Sequence, residues 1–255
     1  MANVAFLWDN AYVAPSTTLT ASSSASALPV ASTQNPERTA IWRSLAQGGE
    51  HTIDIDLGSV ESVEAVAVAN VRLLTSGALV LQQRGDASSP GSAVDVVTLP
   101  AAHSGRRAAA ARFTAEAHRH WRLRWTNPLS VIDFVELGYA HLGGSTVPTR
   151  NFTAPIDVSQ VDPSVVHRSP DGQVAVTTRS AFMRGVIGWE ALDDADRTAL
   201  EAIYAGVGHA TPIFVVLNED LDWTTWFVRF VAPVRYHFLK GIRMYGVALE
   251  WEEVR

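Results

Sequence analysis

The chain has 255 residues, of which 47% are hydrophobic and 18% are charged, and its formal net charge is -6 at pH 7. This length suffices for one large or two modest globular cores, and the hydrophobic fraction excludes wholesale disorder. The acidic balance and the scattered Lys and Arg residues exclude long-range attraction to nucleic acid or to an anionic membrane. Cysteine is absent, which excludes disulfides, thiolate catalysis and cysteine-based zinc sites.

No segment of the sequence predicts membrane insertion or secretion. The apolar run at residues 4–8 is short and has neither a basic flank nor a cleavage-like site. No other apolar run approaches the ~20 residues that span a bilayer. We therefore expect a protein that is made in the cytoplasm and is not inserted into a membrane.

Residues 15–36 are rich in Ser, Thr, Ala and Pro and allow two interpretations. They could form a flexible linker, or an ordered meander that leads into a β-domain. Trp8, Tyr12, Leu19 and Leu28 are apolar anchors in and beside this stretch. They favour the ordered meander.

Strand patterns become strong from residue 52 onward. Ile53, Ile55 and Leu57 alternate with polar residues, and the strand is predicted to end at Gly58. By its pattern, the segment 118–138 pairs with the earlier segment 42–58. The other strands predicted for this half are 63–70, 78–82, 94–99, 121–125 and 134–137. Short strands without an amphipathic helix indicate a sandwich.

A cluster of helix and strand breakers, residues 143–149, separates two patterned regions. It predicts two domains, 1–143 and 150–255. The second region has strands predicted at 156–161, 172–184, 212–217, 223–231, 233–238 and 244–251. A helix at about 193–205 is predicted to begin at an Asp193 cap, and Gly206 or Gly208 can end it. Its predicted apolar stripe is Ala195, Ala199, Leu200 and Ile203.

Two residue pairs have the spacing of functional groups. His118 and His120 would share one face of a strand, as a metal-binding pair does, but no third ligand has a recognised spacing, and solvated surface histidines are the simpler interpretation. Asp54 and Asp56 could be a carboxylate pair. Catalytic pairs usually converge from different strands, so the polar face of a half-exposed strand is favoured. The sequence leaves any metal ligand unknown.

The acidic residues Glu219, Asp220 and Asp222 fall in a predicted turn, where Asp is favoured because its side chain bonds nearby backbone; a cation site is the alternative. Tryptophans could stack on sugars, since an indole packs on apolar sugar faces. Trp121, Trp125 and Trp251 alternate with polar residues, so core packing is predicted for them. Trp223 and Trp226 flank the acidic turn, and one of them is expected to be exposed.

No nucleophile elbow, phosphate-binding glycine loop or zinc-protease motif occurs in the chain. We assign no catalytic residue, no cofactor-binding residue and no cofactor. The prediction is a protein that is not an enzyme.

The N-terminal region, to residue 143, resembles the discoidin superfamily, which includes many carbohydrate-binding modules. The residues that carry the resemblance are Thr20-Ala-Ser-Ser23, Trp42-Arg43-Ser44, 53–58, 63–69, 120–123 and Glu136-Leu-Gly138. The resemblance implies a jelly-roll recognition or assembly module, often with calcium in a loop. The cysteine pair that bridges the domain ends in animal members is missing here.

The start at Trp8-Asp-Asn and the Ala/Val-rich strand are similar to discoidin-like proteins of phage tail tips. The second half, from Arg184-Gly-Val-Ile-Gly-Trp189 through one helix to Leu249-Glu-Trp251, is similar in element order to phage tail tube and distal tail proteins. The implied fold is mainly β: an N-terminal discoidin-like jelly-roll sandwich and a C-terminal β-sandwich or barrel with one flanking α-helix.

The phage resemblance implies a structural virion protein of a bacteriophage tail tip or baseplate. Its expected partners are further copies of itself in a ring, the tail tube, hub and fibre proteins, and a host surface glycan. Its expected location is the virion, after synthesis in the host cytoplasm. The alternative function is a soluble carbohydrate-binding protein that uses its jelly-roll loops.

Overall fold

A computed structural model describes residues 3–37, 39–45, 49–71, 78–86, 90–100, 108–127, 134–153, 156–218, 224–239 and 244–254. Over these residues the chain is mainly β with one α-helix, which confirms the predicted fold class. No helix in this part of the chain is long and apolar enough to cross a membrane.

The strands of the described residues are numbered in chain order. They are β1 (Ala5–Leu7), β2 (Thr18–Ala21), β3 (Trp42–Arg43), β4 (Gly49–Ala69), β5 (Ala78–Gln83), β6 (Val94–Leu99), β7 (Ala108–Asn127), β8 (Glu136–Leu137), β9 (Tyr139–Gly143), β10 (Asp157–Val161), β11 (Val165–Arg168), β12 (Val174–Thr177), β13 (Phe182–Leu192), β14 (Ile213–Val216), β15 (Thr225–Phe230), β16 (Arg235–Leu239) and β17 (Met244–Glu253). The helices are two short 3-10 turns, Ala11–Val13 and Val30–Gln34, and the α-helix α1, Asp194–Val207.

The chain divides into two compact units. The first unit comprises Met1–Thr149 and Pro212–Phe227, and the second comprises Arg150–Thr211 and Val228–Arg255. The sequence-based division at residues 143–150 places 212–227 in the second part, whereas in the structure this segment groups with the first unit. The reason is the antiparallel pairing of β14 with β1.

The first unit is built around a sheet with the order β2-β4-β7-β5-β6, and β9 pairs with the second half of β4. Ile53 lies opposite Leu123, and Ile55 lies opposite Trp121. Strands β3 and β8 form a second, two-stranded sheet, in which Trp42 lies opposite Leu137. The predicted pairing of segment 42–58 with segment 118–138 is therefore confirmed in both sheets.

The core of the first unit lies between these two sheets. Ile53, Trp121 and Trp125 point into it from the large sheet, and Trp42 and Leu137 come from the small one; all are buried. The Trp42 and Trp125 ring centroids are 5.4 Å apart. Alternation of apolar and polar residues along β4 and β7 dictates this arrangement, because successive side chains point to opposite faces of a strand.

Strand β4 continues through Gly58, where the sequence predicted a strand end. The register with β7 shifts between Asp56 and Glu61, which marks a bulge. Gly58 has φ +82°, and a Cβ there would lie 2.9 Å from the Ser16 side chain. The glycine thus permits a bend inside one long strand instead of ending it.

The Ser- and Thr-rich segment is ordered, which confirms the preferred interpretation. Thr18 and Thr20 of β2 pair with Asp56 and Asp54 of β4. The Tyr12 side chain is buried, and its hydroxyl lies 2.6 Å from the Thr33 hydroxyl. Apolar anchoring and strand pairing therefore order a segment whose composition alone is that of a linker.

In the second unit, β10, β13 and β17 are successive neighbours, and β16 and the end of β15 pair with β17. Asp193 immediately precedes helix α1 and caps it, as predicted: its carboxylate accepts a hydrogen bond from the Asp196 N–H at 2.9 Å. Gly208 ends it with φ +55°. Its buried stripe is Asp196, Leu200, Ile203 and Val207; the prediction that Ala195 belongs to the stripe is wrong, because that residue is exposed.

Strands β11 and β12 follow β10 and precede β13 along the chain. They pair only with each other, in a separate two-stranded sheet. Every residue of both strands is exposed. The sequence-based prediction lacked β11 and merged β12 with β13. We call residues 162–181, which carry this hairpin, the arm.

Candidate functional site

The outer face of the large sheet in the first unit carries ordered rows of polar side chains. Because residues directly opposite each other share a face, Thr20, Asp54, Arg122 and Gln82 form one row across four strands. Thr18, Asp56 and His120 form the next row. The apolar residues between them, such as Ile53 and Ile55, point into the core.

Asp54 is held by two arginines, Arg122 of the neighbouring strand β7 and Arg84 of the segment after β5. Arg122 donates through Nε to Oδ1 at 2.7 Å and through Nη2 to Oδ2 at 3.1 Å. Arg84 donates through Nη1 to Oδ1 at 2.8 Å. Partial burial opposes ionisation of the carboxyl, but hydrogen bonds from Arg122 and Arg84 outweigh burial and lower the pKa of Asp54.

Asp56 is held in the same manner by Arg119. Its two carboxylate oxygens accept from Arg119 Nε at 2.7 Å and Nη2 at 2.8 Å, and Oδ1 also accepts from the Gly58 N–H at 2.9 Å. The hydrogen bonds from Arg119 lower the pKa of Asp56 to about 2, against a smaller opposing effect of burial. His120 Nδ1 lies 3.9 Å from Oδ1. The carboxylate is therefore ionised throughout the physiological pH range.

These rows border an open cleft of about 230 Å³. Thr18 and Thr20 form one side, Asp54 and Asp56 lie beside them, and Arg84 and Pro90 line the opposite side. Arg84 is itself positioned, because its Nε donates to the Gly91 carbonyl at 3.1 Å. The cleft thus combines carboxylate acceptors, guanidinium donors and hydroxyl groups in fixed places.

The interpretation of Asp54 and Asp56 as the polar face of a strand is consistent with this geometry. Both carboxylates are engaged by guanidinium groups and have lowered pKa values. A carboxyl that acts as a general acid near neutral pH needs a raised pKa. The pair is therefore unsuited to proton donation near neutral pH.

The two histidines of the predicted pair contact different carboxylates. His118 Nδ1 lies 2.8 Å from Asp86 Oδ1, and its ring packs edge-on against Trp121 at 5.6 Å between centroids. His120 turns to Asp56 and is buried, so the expectation of a surface histidine is wrong for this residue. Among the residues that the structure describes, no cluster of three or more His, Asp or Glu side chains could hold a metal ion.

The tryptophan predictions are confirmed for the three residues assigned to the core. Trp121, Trp125 and Trp251 are all buried. The Trp121 indole N–H donates to the His118 carbonyl at 3.0 Å. Trp226 is partly exposed, whereas Trp223 and the acidic turn with Glu219, Asp220 and Asp222 lie outside the described residues.

Sequence reasoning missed the arginines that organise the cleft. The sequence pattern marks Arg122 as a polar residue between Trp121 and Leu123 and as part of the discoidin resemblance, but it assigns no role to Arg122, Arg84 or Arg119. Alternation along β7 signals that Arg122 points away from the core, but its partner follows from the register with β4, 68 residues away in the chain. That register is a tertiary property.

No known protein family and no curated protein matches the sequence. Among solved structures, chitosan-binding module 1 of a chitosanase/glucanase from Paenibacillus sp. IK-5 is similar at 21% identity and a TM-score of 0.43, over 52% of this chain and 98% of that chain. The family 32 carbohydrate-binding module of NanJ from C. perfringens, in complex with galactose, matches at 12% identity and a TM-score of 0.42, over 55% of this chain and 99% of that chain.

Proposed function

We propose that this chain is a non-catalytic binding protein whose first unit binds a carbohydrate in the cleft beside Asp54 and Arg84. One observation carries the proposal. Carboxylate, guanidinium and hydroxyl groups are arranged in register around an open cleft of about 230 Å³. The ionised, arginine-bound carboxylates suit hydrogen bonding to a ligand that is itself uncharged or weakly charged.

A sugar matches this set of groups because each of its hydroxyls both donates and accepts hydrogen bonds. The Asp54 and Asp56 carboxylates accept, the Arg84 guanidinium donates, and the Thr18 and Thr20 hydroxyls do either. Asp54 is paired with Arg84 and Arg122, and Asp56 is paired with Arg119. These ion pairs fix the charged side chains before a ligand arrives, which lowers the entropic cost of ordering them on binding. Pro90 adds a small apolar surface for the C–H groups of a sugar ring.

The direct test is binding of the whole chain to a glycan array, followed by calorimetry with the best glycan. Asp54→Asn keeps the shape of the side chain but removes the charge that holds Arg84 and Arg122. Hydrogen bonds to charged groups contribute ~1.5–3 kcal/mol, so affinity should fall about 10- to 100-fold.

Glu250→Gln is the matched control, since it removes one exposed ion pair, with Arg184 at 3.3 Å, in the second unit. This control should bind like the unmodified chain. Equal affinity of Asp54→Asn and the unmodified chain would refute the cleft as the site. The absence of any bound glycan on the array would refute carbohydrate binding itself.

A structural role in a phage tail tip, assembled as a ring with other tail proteins, is the second candidate function. The exposed arm of the second unit favours it, because a hairpin without buried residues needs a partner surface. Electron microscopy of the purified chain should then reveal rings or larger particles. A monomer at every concentration would count against this role.

A further inference from the structure

Two strands of the second unit are paired on one side only. Within the described residues the order of neighbours is β16-β17-β13-β10, and β10 pairs only with β13 while β16 pairs only with β17. Both pairings are regular, without a register shift, and neither strand contains proline. A bulge or a proline would block further pairing, so each strand offers an open row of backbone N–H and C=O groups.

The two open edges are compatible in direction. β10 runs antiparallel to β13, β13 runs antiparallel to β17, and β17 runs antiparallel to β16, so β10 and β16 run in opposite directions. When two copies of this sheet lie side by side in the same orientation, β10 of one copy therefore meets β16 of the next as an antiparallel pair. That is the arrangement of every neighbouring pair among these four strands.

Opposite charges at the two edges lie on the same face of the sheet. Asp157 shares a face with Glu250 through Val186 of β13. Arg235 lies opposite Ala248, two residues from Glu250 on β17, and so points to that face as well. Asp157 and Arg235 are both exposed, and neither forms an ion pair with any other described residue. A carboxylate on one edge thus complements a guanidinium on the other.

Apolar side chains lie on the opposite face at both edges. Phe238 of β16 is 81% exposed, and its ring meets the Tyr245 ring at 5.1 Å between centroids. Ile156 and Val158, at the start of β10, are partly exposed and alternate with Asp157. Pairing of the two edges would bring Phe238 beside them and remove apolar surface from water.

Charge disfavours the pairing of either edge with its own copy. Two β10 strands would give Asp157 no cation, and two β16 strands would bring together Arg235 and His237 of both copies. Of the three possible pairings of these edges, β10 with β16 alone places opposite charges on one face and apolar side chains on the other.

We propose that β10 of one copy of this chain pairs in antiparallel register with β16 of a second copy. Val158 lies opposite Tyr236, which places Asp157 opposite His237 and diagonal to Arg235, within reach of its guanidinium. Because β10 and β16 lie at different levels along β17, successive copies are offset by about four residues, ~13 Å. The two edges differ, so the contact is head-to-tail and leads to a ring or a filament. It involves the second unit alone and does not depend on carbohydrate binding by the first.

The first experiment measures the oligomeric state of the whole chain by analytical ultracentrifugation across a range of concentrations. The unmodified chain should associate as its concentration rises. Asp157→Arg and Arg235→Asp should each weaken association about ten-fold or more, because each places like charges across the contact. The double variant Asp157→Arg/Arg235→Asp should recover association, since the charges are exchanged. Asp171→Arg, the same charge change in the exposed turn of the arm, is the control and should associate like the unmodified chain.

Three outcomes of this experiment would overturn the proposal. They are an unmodified chain that stays monomeric at every concentration, single charge reversals that associate normally, and a double variant that associates no better than the single ones.

The second experiment tests the same contact without altering its charges. The chain contains no cysteine, so engineered cysteines report this contact alone. Ile156→Cys and Phe238→Cys change positions that lie opposite each other in the proposed register. Under mild oxidation each variant alone should remain without a cross-link, and an equimolar mixture of the two should form a disulfide-linked dimer. A dimer formed by either variant alone, or a mixture without a cross-link, would contradict the pairing of β10 with β16.

Discussion

Asp54 and Asp56 are ionised groups whose positions are set by arginines of a neighbouring strand and of the segment after β5. These ion pairs are partly exposed, and solvent screening keeps the contribution of each such pair to folding at about 1 kcal/mol or less. Their effect is geometric. They hold acceptors and donors at fixed places beside the cleft, which is what a binding site for a hydroxyl-rich ligand requires.

His141 should make the stability of the first unit depend on pH. Burial lowers its pKa to about 4, although a hydrogen bond with the Gly144 carbonyl opposes this shift. As the pH falls below 6.5, the unfolded chain takes up a proton that the folded chain does not. The free energy of unfolding should therefore decrease between pH 6.5 and 4, by about 3 kcal/mol in total for this group.

Urea unfolding followed by tryptophan fluorescence at several pH values measures this slope. His141→Asn should remove it in that window, whatever the absolute stability of the variant. Protonation of Asp56 lowers the free energy of unfolding in a separate pH range. Because its pKa is about 2 in the folded chain, its stabilising contribution is lost only as the pH falls from about 4 towards 2. An unchanged slope in His141→Asn would show that other groups titrate.

At the scale of single residues, the sequence predicts orientation but not partners. Alternation along β4 places Asp54 and Asp56 on the polar face, and the structure agrees. The same rule fails to predict the burial of His120, since burial depends on the strands and segments that pack around a residue. Periodicity is local, whereas the cleft is assembled from β2, β4, β7 and the segment after β5.

Among the elements, the sequence predicts strands with strict alternation, such as the first half of β4, and also apolar runs such as β14. It does not predict β9, because the segment Tyr139–Gly143 contains a polar residue, His141, and leads directly into the breaker cluster at 143–149. The start of β7 was missed because alanine has a low preference for strands, and Ala108–Ala111 are stabilised there by pairing with β4. β11 was missed because neither of its faces is covered.

Gly143, the last residue of β9, lies very close to the backbone of Asp9, whereas the adjacent Gly144 does not. A Cβ on Gly143 would lie 2.1 Å from the Asp9 carbonyl oxygen, which is backbone and cannot move aside, whereas a Cβ on Gly144 meets nothing within 4 Å. Gly143→Ala should therefore lower the free energy of unfolding by about 1–3 kcal/mol. Gly144→Ala, its matched control, should change it by no more than about 0.5 kcal/mol.

Thermal or urea unfolding of both variants beside the unmodified chain is the measurement. Equal stabilities of the two variants would mean that Gly143 does not make this close approach. The predicted linker at 143–149 is also held by backbone pairing. Thr146, which follows these glycines, exchanges two backbone hydrogen bonds of 2.9 Å with Phe6 of β1.

For the whole molecule, the two units carry different proposed tasks. The first unit has the cleft with preset polar groups, and the second unit has the exposed arm. The sequence predicted a mainly β chain with two bodies and one helix. It did not predict that residues 212–227 join the first unit, because their pairing with β1 spans about two hundred residues of chain.

The account rests on carbohydrate recognition by the polar cleft of the first unit. NMR mapping of amide signals during titration with the best glycan from the array tests it most directly. We predict that the shifted signals cluster at residues 18–21, at Asp54 to Asp56 and at Arg84, and that Asp54→Asn suppresses them. Shifts confined to the second unit, or none at saturating glycan, would contradict the account.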